Sequence, residues 1–271
     1  MSEPDAKRAK TDGDHPYELT YWPLMPGRGE FVRLLFEDTN TPFTDYSKLP
    51  PQEAVARVTE LVTLTNNGDA ASPPIFAVPA LRHGPNVLLN QTPNILQYIA
   101  PRVGLAGNGS EVDLLNLNGI VLTLLDGFSN EVHETHHPVA SSQYYEDQKP
   151  EAKKRAANYV DERLPKFLGY VQRVLNGEAS GDGPWLYGGQ CTYADLVLFQ
   201  CIHGLSYAFP KSMEKARASG NLKGVFELYE AVAERPNIKA YMESDRRVAY
   251  SDGIYRHYPE LEEHVGESDD E

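Results

Sequence analysis

The sequence predicts an α/β domain followed by an all-helical domain. Strand-like and helical patterns alternate over residues 17–103, whereas the later chain shows helical periodicity almost throughout. A glycine-rich stretch at 104–110 separates the two patterns and is typical of a short flexible linker. With 271 residues and 41% hydrophobic content, the chain can bury two cores of ordinary size without disulfide or metal staples.

The first half of the α/β domain is predicted to be β-α-β. Residues 17–22 are rich in aromatic residues and threonine and alternate as a strand does, and a turn follows at 23–29. From Glu30 the apolar residues recur on one side of a helix, which the sequence Asn40-Thr41-Pro42 ends. Residues 43–46 supply a second strand.

The second half of this domain is predicted to be β-β-α. Residues 51–65 have an irregular helical pattern, and 66–69 have the composition of a turn. The apolar run at 74–81 predicts a strand, but a central strand does not accept proline, so Pro79 is expected at a strand end or edge. The remaining elements are a turn at 82–86, a strand at 87–89 and a helix at 92–102.

The later helical segments are not joined by a fixed-period repeat, so a bundle is predicted rather than a solenoid. These segments are 113–134, 149–176, 192–208, 222–235 and 238–244. The chain is therefore expected to have four regions. They are a disordered tail over 1–16, an α/β domain over 17–103, an all-helical domain over 111–250, and a C-terminal extension with an acidic tail over 251–271.

Charge and apolar run length argue against two classes of partner. The formal charge of −14 provides no cationic face for nucleic acid. Apolar runs such as 118–125 are too short to span a bilayer, and the N-terminus is polar rather than a signal sequence. We expect a cytoplasmic protein that binds neither nucleic acid nor membrane. The basic cluster Lys7-Arg8-Ala9-Lys10 is a weak match to a nuclear-import signal.

The cysteines and the clustered histidines are interpreted as structural. Cys191 and Cys201 have no nearby histidine pair, which favours two buried free thiols over a metal site. His133, His136 and His137 follow the first bundle helix, but no cysteine or partnering carboxylate accompanies them. We expect no metal site.

Two helix-start signals differ in what they predict. Thr192 and Asp195 form a capping-box-like pair ahead of a long apolar run, so Asp195 is expected to serve folding and not to act as a catalytic acid. Thr92 is a good N-cap, and Pro93 suits the first helical position. A helix N-terminus with free backbone N–H groups suits an anion, although ordinary capping by Thr92 is the alternative.

Five strings, taken in chain order, resemble the glutathione transferase superfamily. No single string is specific, but their order and spacing over residues 17–249 carry the resemblance. It implies a thioredoxin-like α/β domain that binds glutathione and an all-α helical bundle after it, and the first string resembles the tyrosine-type classes mu, pi and sigma. The strings are Tyr21-Trp22-Pro23 with Gly27-Arg28 and Arg33, then Val78-Pro79, Gln91-Thr92, Thr192-Tyr193-Ala194-Asp195 and Glu234-Arg235-Pro236.

The resemblance implies that Tyr21 is the catalytic residue and donates a hydrogen bond to the glutathione thiolate. A free thiol with a pKa of about 8.5 is only a few per cent ionised at pH 7, so a downward shift of about two units increases the nucleophile about thirty-fold. Tyr17 is expected on the same strand face, but Tyr21 stands at the strand's C-terminal end. A packing role is the alternative, since the chain has 16 tyrosines.

The resemblance also implies the residues that bind glutathione. They are Arg28, Val78, Pro79, Gln91 and Thr92. A cis bond between Val78 and Pro79 would leave the Val78 backbone free to pair with the cysteinyl unit of glutathione, with a strand-ending proline as the alternative. The γ-glutamyl carboxylate would lie at the helix N-terminus of Thr92. Arg28 would be a cation near the peptide, with an exposed arginine as the alternative.

The second domain is implied to contribute across a subunit interface. The family's second-domain acid, which reaches glutathione in the partner of a homodimer, aligns near Asn130. An apolar electrophile is expected between the domains, where His133, His137 and Tyr144 are candidate pocket residues.

The expected function is conjugation of glutathione to electrophilic, mostly apolar small molecules, without a tightly bound cofactor. One alternative is a catalytically silent binding or assembly module, which the one-residue-longer loop at 22–26 and the neutral Asn130 favour. The other is a specialised glutathione-dependent lyase, isomerase or ether-cleaving enzyme of the same superfamily. Because no cysteine precedes Cys191, disulfide exchange by an enzyme cysteine is not expected.

Overall fold

The computed structural model describes residues 15–265 of the chain. Most of the predicted N-terminal tail over 1–16, the basic cluster Lys7-Arg8-Ala9-Lys10 and the acidic run at 267–271 lie outside these residues.

Four short strands form a mixed sheet in the first part of the chain. Its strand order is β2-β1-β3-β4, with β1 and β2 parallel and the other two pairs antiparallel. In the central pair, Leu19 of β1 is opposite Leu81 of β3. The strands are β1 (Tyr17–Thr20), β2 (Phe43–Asp45), β3 (Ala80–His83) and β4 (Val87–Asn90).

Helices pack on this sheet in the thioredoxin-like arrangement. α1 (Gly29–Asp38) and α3 (Thr92–Ile99) pack with Leu19 in the main core, which continues into the helical domain. α2 (Pro51–Val62) contributes Val58 to a second, smaller cluster. The predicted fold class is therefore confirmed for the first part of the chain.

The later part of the described chain is helical, as predicted, but it contains one helix that the sequence analysis missed. Lysine, glutamate and arginine interrupt the apolar pattern of this helix, α9, which buries Ser212 and Met213. Two π-helical turns, Asp126–Asn130 and Tyr159–Arg163, join α4 to α5 and α6 to α7. The helices are α4 (Glu111–Leu125), α5 (Glu131–His136), α6 (Lys149–Asn158), α7 (Leu164–Leu175), α8 (Tyr193–Ala208), α9 (Pro210–Ala218), α10 (Lys223–Ala233) and α11 (Pro236–Met242).

The buried helix α8 begins with the predicted capping box. The N–H and the hydroxyl of Thr192 each donate to Asp195 Oδ2 at 2.7 Å, and the Leu186 N–H donates to Oδ1 at 2.8 Å. Asp195 therefore organises the helix start, which confirms its predicted role in folding. Cys201 of α8 is a buried free thiol, and Cys191 is a half-buried one. Burial raises the pKa of Cys201 to about 12, so this thiol stays protonated at neutral pH.

The continuous helix from Glu111 to His136 is long and apolar enough to cross a membrane by length and composition alone. It has 26 residues, many more than the apolar run at 118–125 on which the prediction rested. Leu117, Val121 and Leu124 of this helix are 0–1% exposed in the core. We therefore interpret it as a core helix of the bundle.

Two strand boundaries differ from the sequence prediction. β1 ends one residue before Tyr21, so this side chain lies just beyond the strand. β3 begins after Pro79, as expected for a proline at a strand end, so residues 74–79 of the predicted strand lie outside it. It also includes residues 82–83, which were assigned to a turn. His83 is paired with Tyr17 across β1 and β3, and their stacked rings have centroids 4.1 Å apart. This cross-strand packing extends the strand.

The C-terminal extension docks on the bundle as far as the structure describes it. Ile254 and Tyr255 are 2% exposed and Leu261 is 3% exposed. Glu262 is buried and accepts hydrogen bonds from the N–H and the hydroxyl of Ser212 at 2.9 and 2.5 Å. The first part of the predicted acidic tail is therefore anchored to α9.

Candidate active site

Tyr21 lies at the C-terminal end of β1, where the chain turns toward α1. Its side chain is 6% exposed and packs with Val58, Ile75 and Val78. The backbone N–H of Arg28 donates a hydrogen bond of 2.8 Å to Tyr21 Oη. The additional loop residue therefore leaves the hydroxyl beside the start of α1.

Gly27 and Gly29 make room for the Tyr21 ring. A Cβ on Gly27 would lie 2.2 Å from Tyr21 Oη, and a Cβ on Gly29 would lie 2.7 Å from Tyr21 Cγ. Gly27 also has a φ of 45°, which glycine adopts at no steric cost. Any other residue at these two positions would displace the tyrosine, which explains physically why glycine occurs in the Gly27-Arg28 string.

The Tyr21 hydroxyl is placed to donate a proton. Burial raises its pKa, so the phenol is neutral at neutral pH. The Arg28 N–H and the charges of Arg28 and Arg33 act in the opposite direction, because they stabilise the phenolate. Since the oxygen accepts the Arg28 N–H, its own proton remains available to an acceptor such as a thiolate.

Tyr17 lies in a different environment, so the prediction that it shares a face with Tyr21 is wrong. Its ring packs against Phe36 and His83, with centroid separations of 5.0 and 4.1 Å. Tyr17 packs against the main core, whereas Tyr21 belongs to the smaller cluster. The strand period does not extend to Tyr21, because β1 has already ended.

A buried ionic network holds the loop before α1. Arg33 is 1% exposed and donates to the Pro26 carbonyl at 3.1 Å. It also pairs with Asp45 at 2.7 Å and with Glu30 at 3.1 Å, and Glu30 pairs in turn with Arg247 at 2.5 Å. The sequence analysis had Arg33 only as part of a string and missed these partners. Glu30 is three residues away on the same helix, whereas no local pattern indicates Asp45 or Arg247.

The start of α3 carries the other predicted part of the site. The Val78–Pro79 bond that precedes β3 is cis, as the resemblance implied. Gln91 occupies the N-cap with a φ of 66°, and Thr92 is the first helical residue. The prediction that the Thr92 hydroxyl caps the helix is wrong, because no side-chain capping bond forms and Thr92 Oγ1 is buried without a partner in residues 15–265. Leaving a buried hydroxyl unpaired costs about 1–3 kcal/mol, so this atom points to a ligand group.

A cavity of 180 Å³ lies at this helix N-terminus. Arg28, Gln91 and Thr92 line it from the first domain, and Asp126 and Asn130 line it from the second. Arg28 Nη2 donates to Asn130 Oδ1 at 2.8 Å across the two domains. Three predicted glutathione-binding residues therefore surround one cavity, and the backbone of Arg28 links that cavity to Tyr21.

The candidate second-substrate residues separate into a histidine cluster and one exposed tyrosine. The rings of His133, His136 and His137 lie with centroids 4.9–5.1 Å apart. Tyr144 is 79% exposed. Burial, with the nearby positive charges of Arg28, His137 and Arg256, lowers the pKa of His133 to about 4. In the part of the chain that the structure describes, no group of three or more His, Cys, Asp or Glu side chains is arranged to hold a metal ion.

Residues 250–256, which we call the C-terminal strap, cross the loop beside Tyr21. Ser251 Oγ donates to the Leu24 carbonyl at 3.1 Å. A Cβ on Gly253 would lie 3.9 Å from Gly27 Cα and 4.0 Å from Met25 Sδ, so the two backbones lie close together. The strap therefore contacts the loop that connects Tyr21 to Arg28.

The C-terminal strap is also fixed to the helical domain. The Tyr255 hydroxyl donates to the Phe128 carbonyl at 2.8 Å, and His136 Nε2 bonds the Ile254 carbonyl at 3.0 Å. A Cβ on Gly204 of α8 would lie 2.3 Å from the Tyr255 ring, so glycine is required there. The strap thus fills the space between the loop, the π-helical turn and α8, a feature that the sequence analysis missed.

Comparison with known proteins finds similarity to glutathione S-transferases. Residues 133–245 match the family model for the glutathione S-transferase C-terminal domain. A glutathione S-transferase P of Caenorhabditis elegans is 28% identical over 228 residues, which cover 83% of this chain and 91% of that protein. A glutathione S-transferase of Plasmodium yoelii yoelii is 24% identical over 224 residues, which cover 83% and 92%. The chain is therefore similar to glutathione S-transferases over most of its length, and residues 133–245 match the C-terminal domain of that family.

This similarity agrees with the fold. A solved pi-class glutathione S-transferase of Onchocerca volvulus aligns with a TM-score of 0.61 and 19% identity, covering 84% of this chain and 92% of that one. At this identity the likeness shows the fold alone. It corresponds to the thioredoxin-like domain and helical domain described above.

Proposed function

We propose that the protein is a cytoplasmic glutathione transferase that conjugates glutathione to electrophilic, mostly apolar small molecules through a thiolate stabilised by Tyr21. The observation that carries this proposal is the Tyr21 hydroxyl, which accepts the Arg28 N–H at 2.8 Å and keeps its proton for donation. Lowering a thiol pKa by about two units requires about 2.7 kcal/mol. One charge-assisted hydrogen bond, with the positive field of Arg28 and Arg33, is of that order.

Glutathione would extend from Tyr21 to the cavity at α3. The Val78 backbone would pair with the cysteinyl unit, and Pro79 and Gln91 would shape the two ends of that segment. The γ-glutamyl carboxylate would accept hydrogen bonds from the unpartnered Thr92 hydroxyl and from free N–H groups of α3. Catalysis would then consist of thiolate stabilisation and proximity, without a tightly bound cofactor.

A binding and conjugation experiment tests this function. Calorimetry measures glutathione binding, and absorbance measures conjugation of a generic aryl halide between pH 6 and 9. We expect binding together with a conjugation rate that exceeds the uncatalysed rate throughout this range. A protein that binds no glutathione would contradict the proposal.

The C-terminal strap supports a second candidate function, a catalytically silent glutathione-binding module. Its contacts to Leu24 and Phe128 close the side of the Tyr21 loop where an electrophile would approach. Glutathione binding without conjugation of any electrophile in a panel of increasing size would favour this module over the transferase.

A homodimer is part of the proposed function. Val112, Leu115 and Leu122 are 64%, 60% and 44% exposed on α4, and Phe76 before β3 is 90% exposed. Large apolar side chains at this exposure are typical of an unpartnered interface. Light scattering should give about twice the chain mass, and replacing Leu115 and Leu122 with glutamate should give monomers. A wild-type monomer would contradict the dimer.

A further inference from the structure

Two acids and two arginines form a buried cluster behind Tyr21. Arg33 faces the tyrosine, with its guanidinium carbon 5.8 Å from the centre of the ring. It pairs with Asp45 and with Glu30. Glu30 also pairs with Arg247, at 2.5 Å. The two carboxylates are therefore matched by two guanidinium groups, and the charges of the cluster balance only when Arg247 is present.

Arg247 reaches this cluster from the segment that leads into the C-terminal strap. Its side chain is 8% exposed, and its Nη2 donates to Gln200 Oε1 at 3.1 Å and to Tyr250 Oη at 3.2 Å. The Tyr250 hydroxyl lies in turn 2.8 Å from His203 Nδ1 on α8. These contacts hold the guanidinium of Arg247 in one position against Glu30.

Glu30 connects the cluster to the loop that packs on Tyr21. Its backbone N–H donates to the Pro26 carbonyl at 3.1 Å and to the Gly27 carbonyl at 3.3 Å. Its carboxylate is 0% exposed, so water does not screen its charge. The charged cluster and the loop beside Tyr21 therefore form one hydrogen-bonded unit.

The neutral side chains around this cluster stay neutral between pH 6 and 9. Burial and the Arg247 charge lower the pKa of His203 to about 4. Burial raises the pKa values of the neighbouring tyrosines, which remain protonated. Titration of these neighbours therefore does not offset the balance between Glu30 and Arg247. The ionisable groups around the two acids and two arginines are Lys48 after β2, His203 of α8, Tyr229 of α10, Tyr241 of α11 and Tyr250 of the strap.

The net charge of the cluster acts on a thiol held at Tyr21. A nearby negative charge raises the pKa of a thiol, and a nearby positive charge lowers it. In a protein interior, one unit charge about 10 Å away changes the ratio of thiolate to thiol about ten-fold. Loss of Arg247 leaves two acids matched by one arginine, which disfavours the thiolate.

We propose that Arg247 is a positioning residue for the conjugation reaction. It balances the charge of Glu30, so that the positive field of Arg33 remains directed at Tyr21. This assignment rests on the proposed function. Arg247 acts on the thiol through the charge of the cluster and not by contact. Because it lies beyond residue 245, where the match to the C-terminal family model ends, a segment outside that model takes part in thiol activation.

Two substitutions with opposite expected effects test this assignment. Arg247→Met removes a positive charge from the cluster, and Glu30→Gln removes a negative one. The thiolate absorbance of bound glutathione is titrated from pH 6 to 9 in each variant and in the wild type. The ionised fraction at pH 6 should fall about five-fold in Arg247→Met and rise about two-fold in Glu30→Gln.

Two further variants are the controls. Arg246 is 59% exposed and pairs with Glu37, which lies on α1 as Glu30 does, so Arg246→Met should leave the titration unchanged. The double variant Glu30→Gln with Arg247→Met restores the balance of charge, and its bound thiol should titrate as in the wild type.

The direction of the two effects separates charge balance from a structural role. Loss of packing alone would disturb the thiol in the same direction in both single variants. Effects in the same direction, or no effect in either variant, would overturn this inference and leave the proposed function intact. A wild type that binds no glutathione, or that does not ionise its thiol, would overturn the proposed function and the inference with it.

The test stands even if Arg247→Met does not fold. Glu30→Gln keeps the shape of the side chain, and the double variant leaves no buried charge unpaired at this position. An ionised fraction in Glu30→Gln that equals or falls below that of the wild type would then overturn the inference. A double variant whose titration departs from that of the wild type would overturn it as well.

Discussion

The two sides of the cleft beside Tyr21 are built in different ways. On the glutathione side, Arg28 and Thr92 line a cavity, and the Thr92 hydroxyl has no partner among the described residues. On the opposite side, the C-terminal strap places Ile254 and Tyr255 in the core and leaves each 2% exposed. A buried hydroxyl is thus left for a ligand on one side, whereas the strap packs its apolar side chains into the core on the other. Substitutions on the glutathione side should therefore weaken glutathione binding, whereas substitutions on the strap side should lower the stability of the fold.

Tyr255→Ala should have the largest effect, and that effect should be on stability. The ring is buried against Gly204, and removing a buried aromatic side chain typically costs about 3–5 kcal/mol. Tyr255→Phe, which keeps the ring and removes the hydroxyl that donates to the Phe128 carbonyl, should cost about 1 kcal/mol. Urea unfolding measures the loss of stability in both variants. A wild-type midpoint for Tyr255→Ala would show that the strap is not part of the folded core.

Low pH should have the second largest effect, by destabilising the folded protein on the side of the cleft where the strap lies. The pKa of His133 is lowered to about 4 and that of His136 to about 3, mainly by burial. Within residues 15–265 the Nδ1 of His136 has no hydrogen-bond partner, so an added proton would be buried without an acceptor. Both folded-state values lie below the ordinary value of about 6.5, so the stabilisation is complete above that pH and declines as the pH falls toward 4.

Replacing the two histidines isolates their contribution to acid unfolding. Each should account for about 1–2 kcal/mol of the stability lost between pH 7 and pH 5. His133→Gln with His136→Asn should therefore flatten the dependence of the unfolding free energy on pH, although it lowers stability at pH 7. The same decline in wild type and the double variant would exclude these histidines as its cause.

Tyr21→Phe should act on turnover rather than on stability. Because one thiol contact contributes little to holding a charged tripeptide, glutathione affinity should stay nearly unchanged. The conjugation rate should fall about ten-fold or more at pH 7, and the loss should shrink toward pH 9 as the thiol ionises unaided. Tyr17→Phe, in the main core, is the matched control and should change neither quantity. An unchanged pH profile in Tyr21→Phe would point to another donor.

The glutathione side was largely predictable because its signals are local. Val78-Pro79, Gln91-Thr92 and Gly27-Arg28 are short strings whose backbone conformations depend on neighbours in sequence. The capping box was predictable for the same reason. The strap and the Arg33 network were not, since their contacts join distant parts of the chain; Tyr241 and Glu30, for example, are 211 residues apart. Such pairs depend on the assembled fold, and no spacing in the sequence indicates them.

Substitution of Thr92 should give the smallest of these effects and should distinguish most clearly between ligand binding and stability. Because its hydroxyl caps nothing and has no partner in the described chain, Thr92→Val should leave the melting temperature unchanged or raise it slightly. The Michaelis constant for glutathione should rise about ten-fold, since a hydrogen bond to a carboxylate is lost. Thr92→Ser keeps the hydroxyl and should bind glutathione as the wild type does. If Thr92→Val lowers the melting temperature without changing the Michaelis constant, Thr92 is a structural residue. Its hydroxyl then does not bind glutathione in this cavity.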